Sequence, residues 1–155
     1  MIPGTGDAEG SLPTAWYSTS DSTSLQAFLS ECDVVLLSLP STPGTRKILN
    51  ERTLSYLKPS AVIVNIGRGD AIDTDALVDA LDKGRLAGAA LDVADPEPLP
   101  SGHPLFGRRN VIVTPHLSGR SVKYPDLALD VLITNLERFS EGRELVNVVD
   151  PKRGY

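Results

Sequence analysis

The stretch Asn65-Ile66-Gly67-Arg68-Gly69-Asp70 follows the apolar run Ala61-Val62-Ile63-Val64 and precedes a capped helical pattern that starts at Asp73. A continuous apolar run of this length reads as a buried parallel strand. Such a strand delivers whatever follows it to the carboxyl edge of an open α/β sheet, where ligands bind. Here it delivers a guanidinium. Arginine is permanently charged and presents a planar fork of donors, so Arg68 on a glycine-flanked turn suits a carboxylate or a polarised carbonyl. The plain alternative is a solvated arginine on an ordinary loop.

Working outward, the same alternation recurs on both sides. Upstream, Asp21-Ser22-Thr23 offers helix caps, Leu25, Phe28 and Leu29 recur at helical spacing, and Asp33 to Leu39 reads as a short buried strand stopped by Pro40. Cys32 falls at that strand's start as a small, partly buried hydrophobe. The turn Ser41 to Thr45 leads to a short helix capped by Asn50, with Leu54 and Leu57 as its apolar face. Downstream, Asp73 caps a helix whose Leu77, Ala80 and Leu81 share one face and whose end carries Gly84. Leu86 to Val93 and Asn110 to Pro115 are further strands, separated by the proline-rich loop Asp95 to Pro100. Pro125 opens a last helix, on which Leu129, Leu132, Leu136 and Phe139 form one stripe that runs to a stop at Gly142. Strands alternating with helices predict an α/β fold with a parallel sheet and right-handed crossovers.

Composition bounds the function. At 155 residues the chain is long enough for one core, and its 41% hydrophobic and 23% charged content is that of an ordinary globular domain. A net charge of −5 with no basic patch speaks against nucleic acid or an anionic membrane surface as a main partner. No apolar run reaches the roughly 20 residues of a membrane span. One cysteine forms no intrachain disulfide, so the expected setting is cytoplasmic. Two histidines and no Cys/His cluster leave no metal site to expect, and no serine sits in a Gly-x-Ser-x-Gly elbow. The run Gly4-Thr5-Gly6-Asp7-Ala8-Glu9-Gly10 has the glycines of a dinucleotide fingerprint without the preceding strand or following helix, and reads as a loop.

Four polar groups stand just after predicted strands: Arg68, Asp92, Glu97 and His116. Parallel strands place all their carboxyl ends on one edge, so these residues converge there if the sheet forms. A histidine near neutral pH is the natural general acid or base, and a neighbouring carboxylate fixes its tautomer. Taken singly, each has a structural reading: a loop histidine, a solvated glutamate between prolines, an aspartate that caps a turn. Together with an arginine they suit movement of a hydride and a proton between an alcohol and a ketone beside a carboxylate. His103, in a turn-rich loop, reads as structural.

Four stretches taken in this order, Ser38-Leu39-Pro40-Ser41-Thr42-Pro43-Gly44-Thr45, Val64 to Gly69, Gly88 to Val93 with Glu97-Pro98-Leu99, and Val113-Thr114-Pro115-His116-Leu117-Ser118-Gly119, resemble the NAD-binding domain of the D-isomer-specific 2-hydroxyacid dehydrogenases. The resemblance covers roughly residues 24–149. It implies NAD or NADP as cofactor, a small 2-oxo or 2-hydroxy acid such as glyoxylate or hydroxypyruvate as substrate, and a homodimer formed through this domain. By the same resemblance Arg68 binds the 2-oxo acid, Glu97 pairs with the histidine and His116 exchanges the proton at the substrate oxygen. Asp92 matches an aspartate that contacts the nicotinamide carboxamide. Ser38, Leu39, Pro40 and Thr45 line the adenosine side, Ile66, Gly67 and Arg68 pass the nicotinamide ribose, and Ser118 and Gly119 lie beside the nicotinamide with His116.

Family members are about twice this length, so the expected fold is Rossmann-like but incomplete: a doubly wound sheet lacking its first βαβ unit, which would carry the pyrophosphate turn. The expected organisation is an irregular segment 1–20, a partial dinucleotide-binding domain 21–149 and a tail 150–155. A second reading, from relatives of this fold that act as corepressors, is a non-catalytic dinucleotide-sensing module or an inactive fragment.

Overall fold

The computed structural model describes residue 7 and residues 9–152, so most of the Gly4 to Gly10 run lies outside the described residues. Four strands form one parallel sheet in the order β1-β2-β3-β4: β1 Val34–Leu37, β2 Val62–Asn65, β3 Gly88–Leu91 and β4 Val111–Val113. Helices α1 (Ser22–Glu31), α2 (Glu51–Leu54) and α3 (Thr74–Asp82) alternate with them, and α4 (Tyr124–Ser140) follows β4. The predicted α/β alternation is the observed one.

Helices α1 to α3 each start where a side chain satisfies free amides, whereas α4 starts with a proline in its first turn and no side-chain cap. Asp21 accepts from the Thr23 amide, Asn50 forms a reciprocal capping box with Thr53, and Asp73 accepts from the Ala76 amide. Gly84 and Gly142 adopt the left-handed conformation that ends α3 and α4, with φ of 63° and 67°. Cys32 is not a strand residue: it caps the end of α1, and its thiol donates to the Phe28 carbonyl.

Register decides which side chains meet. Val35, Leu37, Ile63, Asn65, Ala89 and Leu91 point to one face and are buried against Leu29, Leu49, Leu54, Leu77, Leu81 and Leu105. The other face is open: Val34 and Leu36 are each 59% exposed and Ile112 is 66% exposed. The strand 33–39 expected to be buried is therefore covered on one side only. Parallel sheets ordinarily carry helices on both faces, and here α1 to α3 supply one layer. The stripe of α4 is likewise uncovered, with no buried residue and Phe139 75% exposed. Its spacing is that of an amphipathic helix, but among the described residues nothing covers the stripe.

Candidate active site at the carboxyl edge of the sheet

The turn that carries Arg68 is built by Asn65. This side chain is fully buried at the end of β2; its Oδ1 accepts from the Gly67 amide at 3.1 Å and its Nδ2 donates to the Arg68 carbonyl at 2.9 Å. The glycines are required by close approach rather than by φ. A Cβ on Gly67 would lie 2.7 Å from the Leu39 amide nitrogen, and one on Gly69 would overlap the Ala94 carbonyl. Asp70 then laces the turn to the loop after β1: its Oδ2 accepts from the Ser41 hydroxyl at 2.5 Å and pairs with Arg46 Nε at 3.2 Å. Arg68 itself is exposed. Its Nη1 donates to the Gly67 carbonyl at 2.7 Å, and no ion pair among the described residues engages it.

Asp92 does for the loop after β4 what Asn65 does for the loop after β2. Its buried carboxylate accepts from the Thr114 hydroxyl, from the Leu117 amide at 2.9 Å and from the Ser118 amide at 2.7 Å. Those donors, the Thr114 and Ser118 side chains foremost, hold its carboxyl far below the ordinary carboxylate range. Its backbone carbonyl accepts from the His116 amide at 2.9 Å. Between these anchors His116 takes a left-handed backbone, φ 54°, which a non-glycine residue adopts only when its surroundings impose it.

The imidazole that results meets its partner. His116 Nδ1 lies 2.7 Å from Glu97 Oε1, both groups being half-exposed. Arg68 and Glu97 border one depression of about 250 Å³ together with Ser41, Asp70 and Asp95. A second depression, about 370 Å³, has Val64, Ala90 and Ile112 as its floor and Ile66, Asp92, Leu117 and Ser118 at its rim.

Not every expected site residue joins this edge cluster. Ser38 and Leu39 border a separate cavity beside Trp16 and Tyr17. Thr45 closes its own loop by donating to the Pro40 carbonyl at 2.6 Å. Gly119 lies in a further depression at the start of α4. His103 is a turn residue, its Nδ1 accepting from the Leu105 amide. Asn65, Thr114 and the Asp70–Ser41 pair were not singled out by the sequence reading; a polar residue closing an apolar strand was the one signal for Asn65.

The largely apolar lining of the second depression, with Asp92 and Ser118 as its polar members beside Thr114, could hold a flat ring bearing an amide, the nicotinamide end of a dinucleotide. Among the described residues no strand feeds a glycine-rich turn and helix of the kind that cradles pyrophosphate.

A parallel sheet with an arginine and a histidine–carboxylate pair on its carboxyl edge is the arrangement of an α/β domain of the dinucleotide-binding type. The chain belongs to the D-isomer specific 2-hydroxyacid dehydrogenase family: the model of that family's NAD binding domain matches residues 11–118. It is 42% identical over 128 residues to a glyoxylate/hydroxypyruvate reductase A of Photorhabdus laumondii, covering 83% of this chain and 40% of that protein. A D-isomer specific 2-hydroxyacid dehydrogenase of Xanthobacter autotrophicus, solved with NADPH and MES, superposes with a TM-score of 0.80 at 41% identity, over 86% of this chain and 54% of that one. An NADPH-dependent glyoxylate/hydroxypyruvate reductase of Sinorhizobium meliloti, solved with NADP and sulfate, gives a TM-score of 0.78 at 35% identity, over 87% and 44%. The chain thus spans about two fifths of the length of the curated relatives it matches.

Proposed function

We propose that this chain carries the acid–base half of an NAD(P)-dependent 2-hydroxyacid dehydrogenase that interconverts a small 2-oxo acid and its 2-hydroxy acid, with glyoxylate and hydroxypyruvate as the substrates to try first. The observation that carries the reading is the 2.7 Å contact of His116 with Glu97 at the sheet edge that also presents Arg68. A bound reduced nicotinamide supplies the hydride. His116 supplies the proton to the oxygen that becomes the alcohol and removes it in the reverse direction. Because Nδ1 faces Glu97, Nε2 is the nitrogen that exchanges, and Glu97 holds the ring in that tautomer. Arg68, held among the described residues only through Nη1 on a backbone carbonyl, offers the rest of its fork to the substrate carboxylate.

On the cofactor side, NAD or NADP is held with Ile66, Gly67 and Ser118 beside the nicotinamide ribose and ring, and Gly119 beyond them. Asp92 fixes the Leu117 and Ser118 amides that border the ring. Ser38, Leu39, Pro40 and Thr45 serve the adenosine end. The assembly is a homodimer in the cytoplasm. The homodimer is supported by the uncovered apolar stripe of α4, which has no buried residue and whose Phe139 is 75% exposed.

The test is oxidation of NADPH or NADH by the protein with glyoxylate or hydroxypyruvate. His116→Gln should lower kcat by about 10²–10⁴-fold while dinucleotide affinity is kept, and Arg68→Gln should act mainly on KM. Equal turnover by wild type and His116→Gln would refute the assignment.

A further inference from the structure

Behind the His116–Glu97 pair lies a cavity of about 350 Å³ between the proline-rich loop and the end of β4. Its walls are apolar, with Leu99 and Val113 partly buried and Phe106 half-exposed among them. That volume is more than twice the roughly 150 Å³ in which an apolar cavity accepts benzene, so a one- or two-ring molecule has room in it. Its polar lining side chains are Asp92, Glu97 and Thr114. Two of the three are committed. The Thr114 hydroxyl donates to Asp92, whose oxygens also take the Leu117 and Ser118 amides. Glu97 gives Oε1 to His116, and its Oε2 accepts no hydrogen bond among the described residues.

We propose that this cavity is an accessory binding site for a small planar aromatic molecule carrying one hydrogen-bond donor, and that its occupancy acts on His116 through Glu97. The volume and the apolar walls take the ring, and the Glu97 oxygen left without a partner among the described residues takes the donor. An aromatic carboxylate is excluded, because Asp92 and Glu97 would repel it. A donor on Oε2 competes for the carboxylate that orients the imidazole, so the ligand and His116 are coupled through one side chain. The site meets the depression that Arg68 borders at Glu97 and the one floored by Val64 at Asp92 and Thr114, while Val93, Pro98, Leu99, Phe106 and Val113 line it alone.

Indole is the probe, titrated into the whole 155-residue chain while the Leu and Val methyl and His ring resonances are followed by NMR. Saturable shifts of the Leu99 and Val113 methyls are expected, together with the His116 ring, with a Kd in the millimolar range proper to so small a ligand. Benzofuran, the same shape without the N–H, should bind several-fold more weakly, and benzoate should not bind. Leu99→Trp, which fills the cavity from a surface loop and is checked by circular dichroism for an unchanged fold, should abolish the indole shifts. Absence of saturable shifts at Leu99 and Val113, or equal binding of the three probes, would overturn the site. Methyl shifts without a change at His116 would overturn the coupling.

Discussion

His116 Nδ1 and Glu97 Oε1 stand 2.7 Å apart although 19 residues separate them in the chain. Neither residue is in a strand; each follows one, and the parallel pairing of β3 with β4 brings the two loops together. Replacing Glu97 by Gln keeps the size and removes the charge that the imidazole faces. The expected outcome is a change in which ring nitrogen of His116 carries the proton, since the charged acceptor that faces Nδ1 and fixes the tautomer is gone. The NMR resonances of the ring nitrogens check this, and unchanged resonances would mean that the pair is not formed in solution.

Asp92 is depressed in pKa because the folded loop donates to its charged form. A carboxyl lowered on folding contributes stability that is present above its unfolded value of about 3.9 and is lost as pH falls through the folded value. Asp92→Asn should therefore lower the melting temperature by a similar margin from pH 5 to pH 8, and the margin should shrink below pH 4. A margin that grows on acidification would contradict the hydrogen bonds assigned to this side chain.

The glycines of the arginine turn separate two kinds of requirement. Gly69→Ala pushes a methyl into the Ala94 carbonyl and should cost at least about 3 kcal/mol. Gly84 has φ 63° and open space around it, so Gly84→Ala should cost only about 1–2 kcal/mol of left-handed strain. Urea unfolding of the two variants measures the contrast.

Asn65→Ala leaves the Gly67 amide and the Arg68 carbonyl without their buried partner. At about 1–3 kcal/mol for each of the two unsatisfied groups, the loss should be about 2–6 kcal/mol. The same substitution should raise KM for the 2-oxo acid more than it lowers kcat, because the loop it builds carries Arg68.

Assembly gives a further test. Phe139 lies on the uncovered stripe of α4, so Phe139→Glu should leave the fold intact and shift the homodimer toward monomer in sedimentation velocity. A wild-type chain that sediments as a monomer at micromolar concentration would contradict the dimer.

The sequence carries much of this architecture in local signals. Asp21, Asn50 and Asp73 announce the starts of α1 to α3, and Gly84 and Gly142 the ends of α3 and α4, because capping is chemistry between near neighbours. The position of Arg68, Asp92, Glu97 and His116 after strands is equally local. What each touches is not. Asn65 reads as one more turn former until the pairing of β2 with both β1 and β3 buries it. The left-handed His116 depends on an aspartate in another strand's loop. The stripe on α4 is plain at helical spacing, yet amphipathicity states that a face needs cover and is silent on what covers it. For the same reason Val34 and Leu36 look like core residues in an apolar run, while the register sends them to the uncovered side.

The central claim, a dinucleotide site beside the His116–Glu97 pair, is tested most directly by calorimetric titration of the purified chain with NADPH and NADH. The account predicts saturable, weak binding of at least one of them, in the sub-millimolar range, that is lost when Ser118 is replaced by a bulky residue at the rim of the Val64 depression. No saturation at millimolar concentrations of either dinucleotide would contradict it.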